Sequence, residues 1–189
     1  MDIELNTILV ALMFVTILSM GIGNILGAMA EDFHHSPTGR RSRLHVAWIS
    51  LILLVHFNIF WNTKALLEVT EWTFAGFLIA IAGPVLLFLA TSILLNRAPS
   101  DDANEQENLF VQLSGRFFAV FALLQIWIVA AGFAMTGSFV DNDVTNVVFL
   151  LLAVLLAIVK SDRVQLIGLV TAWGLGLASF AISWMNSKP

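Results

Sequence analysis

The sequence predicts an all-α, polytopic membrane protein with six transmembrane helices in one transmembrane domain, on three observations. Six stretches contain no Asp, Glu, Lys or Arg, at 5–30, 44–63, 72–96, 117–140, 144–159 and 164–187. Nearly all the charged residues gather in the short segments between these stretches. The hydrophobic fraction is 59% and the charged fraction 12%, against roughly 45–50% and 25% in soluble domains. This composition leaves no room for a separate soluble catalytic domain.

Length decides whether each stretch can cross the bilayer. About 18 apolar residues reach across the roughly 30 Å hydrocarbon core, and five of the stretches exceed that length. The stretch 144–159 has 16 residues and spans about 24 Å at 1.5 Å per residue. It is retained as a crossing because Lys160 and Arg163 would otherwise fall on the side with few cations. The first stretch is expected to be a retained helix, because no basic signal-peptide region precedes it.

The loop charges predict the orientation. With the N-terminus outside, the inner loops hold seven Arg and Lys residues and the outer segments hold two. The positive-inside rule therefore favours an N-out, C-out arrangement. Trp61, Trp72 and Trp184 then fall at outer helix ends, where indole rings prefer to lie.

Two local features modify this simple plan. Pro99, Ser100 and Asp101 are helix-start signals, and they predict a short amphipathic helix at about 100–114 on the cytoplasmic surface that runs into helix 4. Pro84 follows Gly83 in the middle of helix 3 and is expected to kink it, since proline removes one helical hydrogen bond. A static kink is the preferred interpretation and a hinge is the alternative.

Small residues recur at every fourth position in two helices. Such spacing allows helix backbones to approach closely in a membrane. We expect the two stripes to touch, either within one subunit or between subunits. The stripes are Ser19, Gly23 and Gly27 in helix 1 and Gly168, Ala172 and Gly176 in helix 6.

The main functional candidate is His56, which lies about 12 residues, or 18 Å, from the inner end of helix 2. Ionisable groups at that depth are costly and suggest function. His45 lies on the same helical face, whereas Asn58 points elsewhere. Thr16 and Gln125 lie at similar depths on helices 1 and 4, so a polar centre with His56 is geometrically possible.

Three roles for His56 stay open at this point. It is a pH-sensitive gate or relay in a channel or transporter, since histidine titrates near neutrality. Alternatively it ligates a b-type haem, although a second ligand from a facing helix is not evident. In the third interpretation it is a neutral structural residue that forms a hydrogen bond to a neighbouring helix.

The remaining polar positions favour structural interpretations. Asn24 is expected to form one amide hydrogen bond to a neighbouring helix. Asp32, His34 and His35 in the first inner loop have metal-ligand side chains, but a solvated polar turn is preferred because adjacent loop residues rarely ligate together. The chain has no cysteine, no hydrolase or protease motif and no basic nucleic-acid surface. Neither enzymatic activity nor a nucleic-acid partner is therefore expected.

One set of motifs resembles a known group of proteins. Helix 1 carries Gly21-Ile-Gly-Asn-Ile-Leu-Gly27, and an Arg-rich turn follows it. Helix 2 carries His45-Val-Ala-Trp48 and His56-Phe-Asn-Ile-Phe-Trp61. Helix 3 begins with Trp72-Thr-Phe. The first half of the chain thus resembles small bacterial multi-pass inner-membrane proteins of unknown activity. The resemblance implies location in a bacterial inner membrane and supplies no ligand or catalytic residue.

These observations lead to one functional expectation and two alternatives. We expect a self-associating channel or transporter for an ion or small solute. The first alternative is a non-conducting accessory or sensor subunit of a larger membrane complex. The second is a haem-bearing electron carrier; otherwise no cofactor is expected.

Overall fold

The computed structural model describes residues 5–34, 43–69, 71–96, 103–136 and 142–186. Within these ranges the regular structure is entirely helical, which confirms the predicted fold class. The helices are α1 (Leu5–His34), α2 (Arg43–Asn62), α3 (Phe74–Leu94), α4 (Ala103–Thr136), α5 (Asn142–Ile158) and α6 (Asp162–Asn186). A 3-10 helix, Thr63–Glu68, follows α2 directly.

Four of these helices are long and apolar enough to cross a membrane. The four candidate spans are Leu5–Asp32, Leu44–Asn62, Phe74–Leu94 and Phe110–Ala134. In α5 and α6 the apolar stretches are shorter, at Val144–Ile158 and Arg163–Ala178. The helices therefore have membrane-protein character, and six crossings with N-out, C-out orientation stay a prediction.

Local features of the sequence shape α4 and the start of α3. The segment that is expected to run into helix 4 is continuous with it in the single helix α4. One glycine costs a helix only about 1 kcal/mol, and Gly115 brings α4 close to α5, where a Cβ would lie 3.4 Å from the carbonyl oxygen of Ala157. The third helix begins at Phe74 because Thr73 caps it, accepting a hydrogen bond from the Gly76 amide at 3.0 Å.

Several helices pack against helices that are not adjacent to them in the sequence. The most extensive contacts join α4 to α5, α3 to α4 and α1 to α3, and α6 packs against α2 and α5. At the N-terminal end of α1, the Trp72 indole donates to the Thr7 hydroxyl at 3.1 Å, and Thr7 donates to the Val69 carbonyl at 3.2 Å. These bonds fasten the connection between α2 and α3 to the start of α1.

The two ends of the bundle are distinguished below by name. The cavity end is where α1, α3 and α5 begin and α2, α4 and α6 end. The aromatic end is the opposite one, and it is named for Trp48, Phe117 and Phe118, which are each no more than 2% exposed. The Trp48 and Phe118 rings meet edge to face with centroids 4.9 Å apart, and Phe118 meets Phe117 at 4.8 Å.

The structure shows how α3 accommodates Pro84 inside a continuous helix. Proline has no N–H, so the carbonyl of Ala80 loses its helical donor. One residue earlier, the carbonyl of Ile79 accepts a hydrogen bond from the Trp127 indole of α4 at 2.5 Å. Gly83 makes this possible, because a Cβ at that position would overlap the Trp127 ring. The expected static kink or hinge at Pro84 is not tested by these contacts.

The small-residue stripes of α1 and α6 do not pack together in the described structure. Ser19, Gly23 and Gly27 are exposed, and a Cβ at either glycine would have no atom within 4 Å. The α6 stripe is used elsewhere, since Gly168 lies against Leu156 of α5 and Ala172 is buried. The predicted contact within one subunit is thus absent, because α6 docks on α2 and α5. A contact between subunits stays a prediction.

Candidate functional site

A cavity of about 330 Å³ lies at the cavity end of the bundle, and each of the six helices contributes to its wall. Its lining residues are Phe14, Leu51, Leu54, Val55, Asn58, Ile59, Asn62, Thr63, Leu66, Ala80, Phe121, Gln125, Trp127, Ile128, Ala131, Gly132, Thr145, Asn146, Phe149 and Gly176. Ligand pockets commonly have volumes of roughly 300–1,000 Å³, so this cavity suits a small molecule.

The polar side chains of the cavity run from the bundle surface towards its centre. Asn62 is exposed at the end of α2, and Asn58 is half-buried one turn deeper. Thr145 and Asn146 face the same space from the first turns of α5. Gln125 is the most buried of the polar lining residues, at 3% exposure. Amides and hydroxyls thus mark a path from the exterior into the bundle.

Gln125 ends this path near the middle of the apolar span of α4. It lies eleven residues before Thr136, the last residue of α4, which corresponds to about 16 Å along the helix axis. Its Oε1 atom is buried and has no hydrogen-bond partner among the described residues. Leaving such an acceptor unpaired costs roughly 1–3 kcal/mol.

Aromatic rings and aliphatic side chains form the remaining walls of the cavity. Three phenylalanine rings line it: Phe14 of α1, Phe121 of α4 and Phe149 of α5. The Phe121 and Phe149 rings meet nearly at right angles with centroids 6.4 Å apart. Trp127 also lines the cavity, and its hydrogen bond to α3 fixes its position. The site therefore combines an apolar wall with a few directed polar groups.

His56 is as deeply buried as predicted, at 0% exposure, but it does not line the cavity. Its Nδ1 atom lies 2.9 Å from the carbonyl oxygen of Ile52 in its own helix. Its Nε2 atom faces Gly21 of α1, where a Cβ would overlap the imidazole ring. The imidazole therefore fills the contact between α1 and α2, where only a glycine leaves enough space.

The polar centre of Thr16, His56 and Gln125 is not assembled. The Thr16 side chain is exposed, and its hydroxyl donates to the Leu12 carbonyl at 2.7 Å within α1. Gln125 borders the cavity and His56 borders α1. The similar depths of these three residues were estimated from helix lengths, and depth alone does not fix the direction in which each side chain points.

His45 is also buried in a packed contact at the aromatic end. Its Nε2 atom lies 2.5 Å from the Leu94 carbonyl oxygen at the end of α3, and its ring stacks on Phe110 at 4.9 Å. Both buried histidines therefore direct Nε2 at neighbouring protein atoms. An axial haem ligand needs Nε2 open towards a space that holds the macrocycle, so these histidines do not fit haem ligation.

The other sequence candidates contribute no site within the described residues. Asn24 is exposed, and its expected interhelical amide bond is not observed; Ser50, at a similar depth on α2, donates to the Val46 carbonyl at 2.9 Å in its own helix. Asp32 lies near the end of α1, whereas the side chain of His34 and the whole of His35 lie outside the described residues. The described residues contain no group of three potential metal ligands.

Sequence reasoning missed most of the polar cavity lining. Asn58 was expected to point away from the site, and Asn62, Thr145 and Asn146 were not singled out. One signal was available. Asn58 and Asn62 are four residues apart and therefore lie on one face of α2. Thr145 and Asn146 lie in the first turns of α5, at the same end of the bundle. Polar residues grouped near one end of several apolar helices indicate a shared wet region.

Comparison with family models, with curated proteins and with solved structures gives no match.

Proposed function

We propose that this chain is a transporter or channel that passes a small solute across a bacterial inner membrane. One observation supports the proposal: a cavity walled by six helices extends to Gln125, a buried polar residue near the middle of the apolar span of α4. Transporter sites commonly lie near the bilayer midplane between helices. With six crossings in the N-out, C-out orientation, this cavity opens towards the outside.

The aromatic end favours a carrier over a permanently open pore. Beyond Gln125, the buried side chains of Trp48, Phe117 and Phe118 pack against one another and fill the bundle. Solute in the cavity would reach the cytoplasmic side only if these helices rearranged. Such alternating exposure of a central site is how secondary transporters work.

His56 has no gating role in this proposal. It packs against Gly21 and is separated from the cavity lining. The expected pH-sensitive gate is replaced by a site whose described lining residues carry no ionisable side chain.

A flux assay with two matched glycine variants tests the proposal. Gly132 lines the cavity, and a Cβ there would meet no atom within 4 Å, so Gly132→Leu would place a side chain in the free space. Gly174 is also unobstructed but lies outside the cavity lining, so Gly174→Leu is the control. Proteoliposomes are loaded with neutral solutes of graded size, and solute exit is followed by light scattering.

The wild-type protein and Gly174→Leu should accelerate the exit of at least one solute, and Gly132→Leu should reduce that acceleration at least tenfold. Equal flux in both variants would contradict transport through the cavity. If every solute left vesicles with the wild-type protein no faster than it left protein-free vesicles, the transport function would be removed altogether.

A second candidate function, an accessory subunit of a larger assembly, has one supporting observation. The exposed face of α1 combines Ser19, Gly23 and Gly27 with the exposed amide of Asn24. Small residues and a polar amide are typical of contacts between membrane helices. Purification in mild detergent separates the outcomes, because a second copy yields a homo-oligomer that Gly23→Leu weakens, whereas an accessory subunit co-purifies with a different chain.

A further inference from the structure

The part of the cavity wall that α2 forms changes from apolar to polar along the helix. Leu51 and Val55 belong to the inner part of the wall, and Asn58 and Asn62 belong to the outer part. Leu51 and Asn62 are eleven residues apart, which corresponds to about 16 Å along the helix axis. One helix therefore offers an apolar surface deep in the bundle and amides near the bundle surface.

The other helices follow the same gradient. Thr145 and Asn146 border the outer part of the cavity from the first turns of α5. Phe14 and Phe121 border the inner part, and each is only 4% exposed. Gln125 is also deep, but its Oε1 atom is enclosed by protein. The polar atoms that a molecule in the cavity meets are therefore concentrated in the outer part.

The side chains of Asn58 and Asn62 form one joined amide surface. The Nδ2 atom of Asn62 donates to the backbone carbonyl of Asn58 at 2.8 Å and to its Oδ1 atom at 3.3 Å. Asn58 Nδ2 and Asn62 Oδ1 form no hydrogen bond to another described residue. Because an amide nitrogen donates and an amide oxygen accepts, the pair suits a neutral hydroxyl or amide group.

The charge of the wall limits the charge of the occupant. Among the described lining residues there is no Asp, Glu, Lys, Arg or His. Lys64 follows Asn62 by two residues, but it is exposed and its Nζ atom lies 5.9 Å from the centre of the Trp61 ring, outside the lining. An ionised group beside Asn58 would lose water without gaining a counter-charge. A neutral polar group instead exchanges bonds to water for bonds to the amides.

The volume of the cavity limits the size of its occupant. An engineered apolar cavity of about 150 Å³ in another protein holds one benzene molecule. The present cavity, at about 330 Å³, has about twice that volume. A fused bicyclic ring or a short alkyl chain with a small polar group is of the right bulk.

We propose that the cavity binds an uncharged amphiphilic small molecule, whose apolar body lies against Phe14 and Phe121 and whose polar end meets the amides of Asn58 and Asn62. This inference deepens the proposed transport function, on which it rests, by naming the substrate class. The gradient of the wall sets the orientation, because a reversed molecule would place its polar end among buried rings and its apolar body among amides.

The test measures binding separately from transport, with the full chain in lipid nanodiscs. Isothermal titration calorimetry compares two series of probes that share an apolar body and differ in one end. The indole series is tryptophol, 3-ethylindole, tryptamine and indole-3-acetate, and the alkyl series is hexanol, heptane, hexylamine and hexanoate. Titrations into empty nanodiscs of the same lipid correct for partitioning into the bilayer.

In the wild-type protein, the alcohol of at least one series should bind saturably and tightest. It should bind about fivefold tighter than the hydrocarbon, which forms no bond to the amides, and at least roughly tenfold tighter than the amine and the carboxylate, which are charged. Equal affinities across both series, or no saturable binding of any probe, would overturn the proposed ligand class.

Two variants of Asn58 test where the polar end lies. Asn58→Leu should remove the preference for the alcohol over the hydrocarbon while the hydrocarbon still binds. Asn58→Asp adds a negative charge with little change of shape, so the amine should now bind tighter than the alcohol. This gain of affinity cannot arise from misfolding. An unchanged order of affinities in both variants would overturn the proposed orientation.

Matched controls separate the cavity from the rest of the surface. Asn24 is an exposed asparagine of α1 outside the lining, so Asn24→Leu and Asn24→Asp should keep the wild-type order of affinities. Gly132→Leu should fill the cavity and abolish saturable binding of all probes, whereas Gly174→Leu should bind as the wild type does. Binding that Gly132→Leu leaves unchanged would place the probes outside the cavity and overturn the proposal.

Binding and flux together separate the two proposals. Preference for the alcohol in nanodiscs without flux of the same probe in proteoliposomes would uphold the ligand class and remove transport. Flux of neutral solutes that Gly132→Leu blocks, without any preference among the probes, would uphold transport and remove the ligand class.

Discussion

The cavity end and the aromatic end are built from the same six helices and similar residues, yet they pack differently. At the aromatic end Trp48, Phe117 and Phe118 interlock and leave no more than 2% of each side chain exposed. At the cavity end Phe121 and Phe149 also meet edge to face, but a space of about 330 Å³ remains beside them. One end therefore contributes packing, and the other retains room for a ligand.

Both ends also hold a buried polar atom without a partner. The Trp48 indole nitrogen at the aromatic end and Gln125 Oε1 at the cavity end both lack hydrogen-bond partners among the described residues. Phenylalanine rings enclose Trp48, whereas Gln125 borders open space. The two ends therefore carry a similar local cost, and they differ in the free volume beside the residue.

The largest expected effect comes from removing one ring at each end. Phe118→Ala should lower the free energy of unfolding by roughly 3–5 kcal/mol, since it leaves a void in a close-packed region. Phe149→Ala should cost less than half as much, because Phe149 already borders a cavity and is partly exposed. Unfolding by SDS titration of the reconstituted protein measures both. Equal losses would show that the two ends are equally packed.

An intermediate effect is expected where α3 meets α4. Gly83→Ala should destabilise the fold by roughly 1–3 kcal/mol, because its Cβ would overlap the Trp127 ring and displace the indole. Gly132→Ala is the control, because a Cβ at that position in α4 would meet no atom within 4 Å, and the stability of this variant should stay near that of the wild type. Thermal unfolding in detergent compares the pair. An unaffected Gly83→Ala would indicate a looser contact between these helices.

The smallest effect on stability is expected at the site itself. Gln125→Leu should leave the unliganded protein equally or slightly more stable, since an apolar group of similar size replaces an unpaired acceptor. Gln165→Leu should cost about 1 kcal/mol, because the Gln165 amide donates to the Leu156 carbonyl. The same unfolding titration measures both. A large loss in Gln125→Leu would assign Gln125 a structural role instead.

The sequence predicted the helices better than it predicted the site. The uncharged stretches locate the central parts of the helices, because a helix that crosses a membrane contains few charged residues. Hydropathy does not reveal that Gly115 is a packing position against α5. Helix ends near Asn62 and Phe74 depended on local turns that hydropathy does not encode.

The site was predicted only in part because depth and direction are separate quantities. Sequence position placed Gln125 and His56 deep in their helices, and both are buried. The rotation of each helix about its axis depends on packing with its neighbours, and one sequence does not give that rotation. Asn58, which was expected to point elsewhere, therefore lies in the cavity wall, and His56 lies against Gly21.

Water access to the cavity tests the central claim most directly, and the absence of native cysteine makes the measurement simple. Single variants Asn58→Cys, in the cavity wall, and Thr91→Cys, at a fully buried position of α3, are treated with N-ethylmaleimide in lipid vesicles. A thiol reacts as its thiolate, which requires contact with water. Rapid modification of Asn58→Cys with none of Thr91→Cys is the predicted result, and equally unreactive thiols would contradict an open, hydrated cavity.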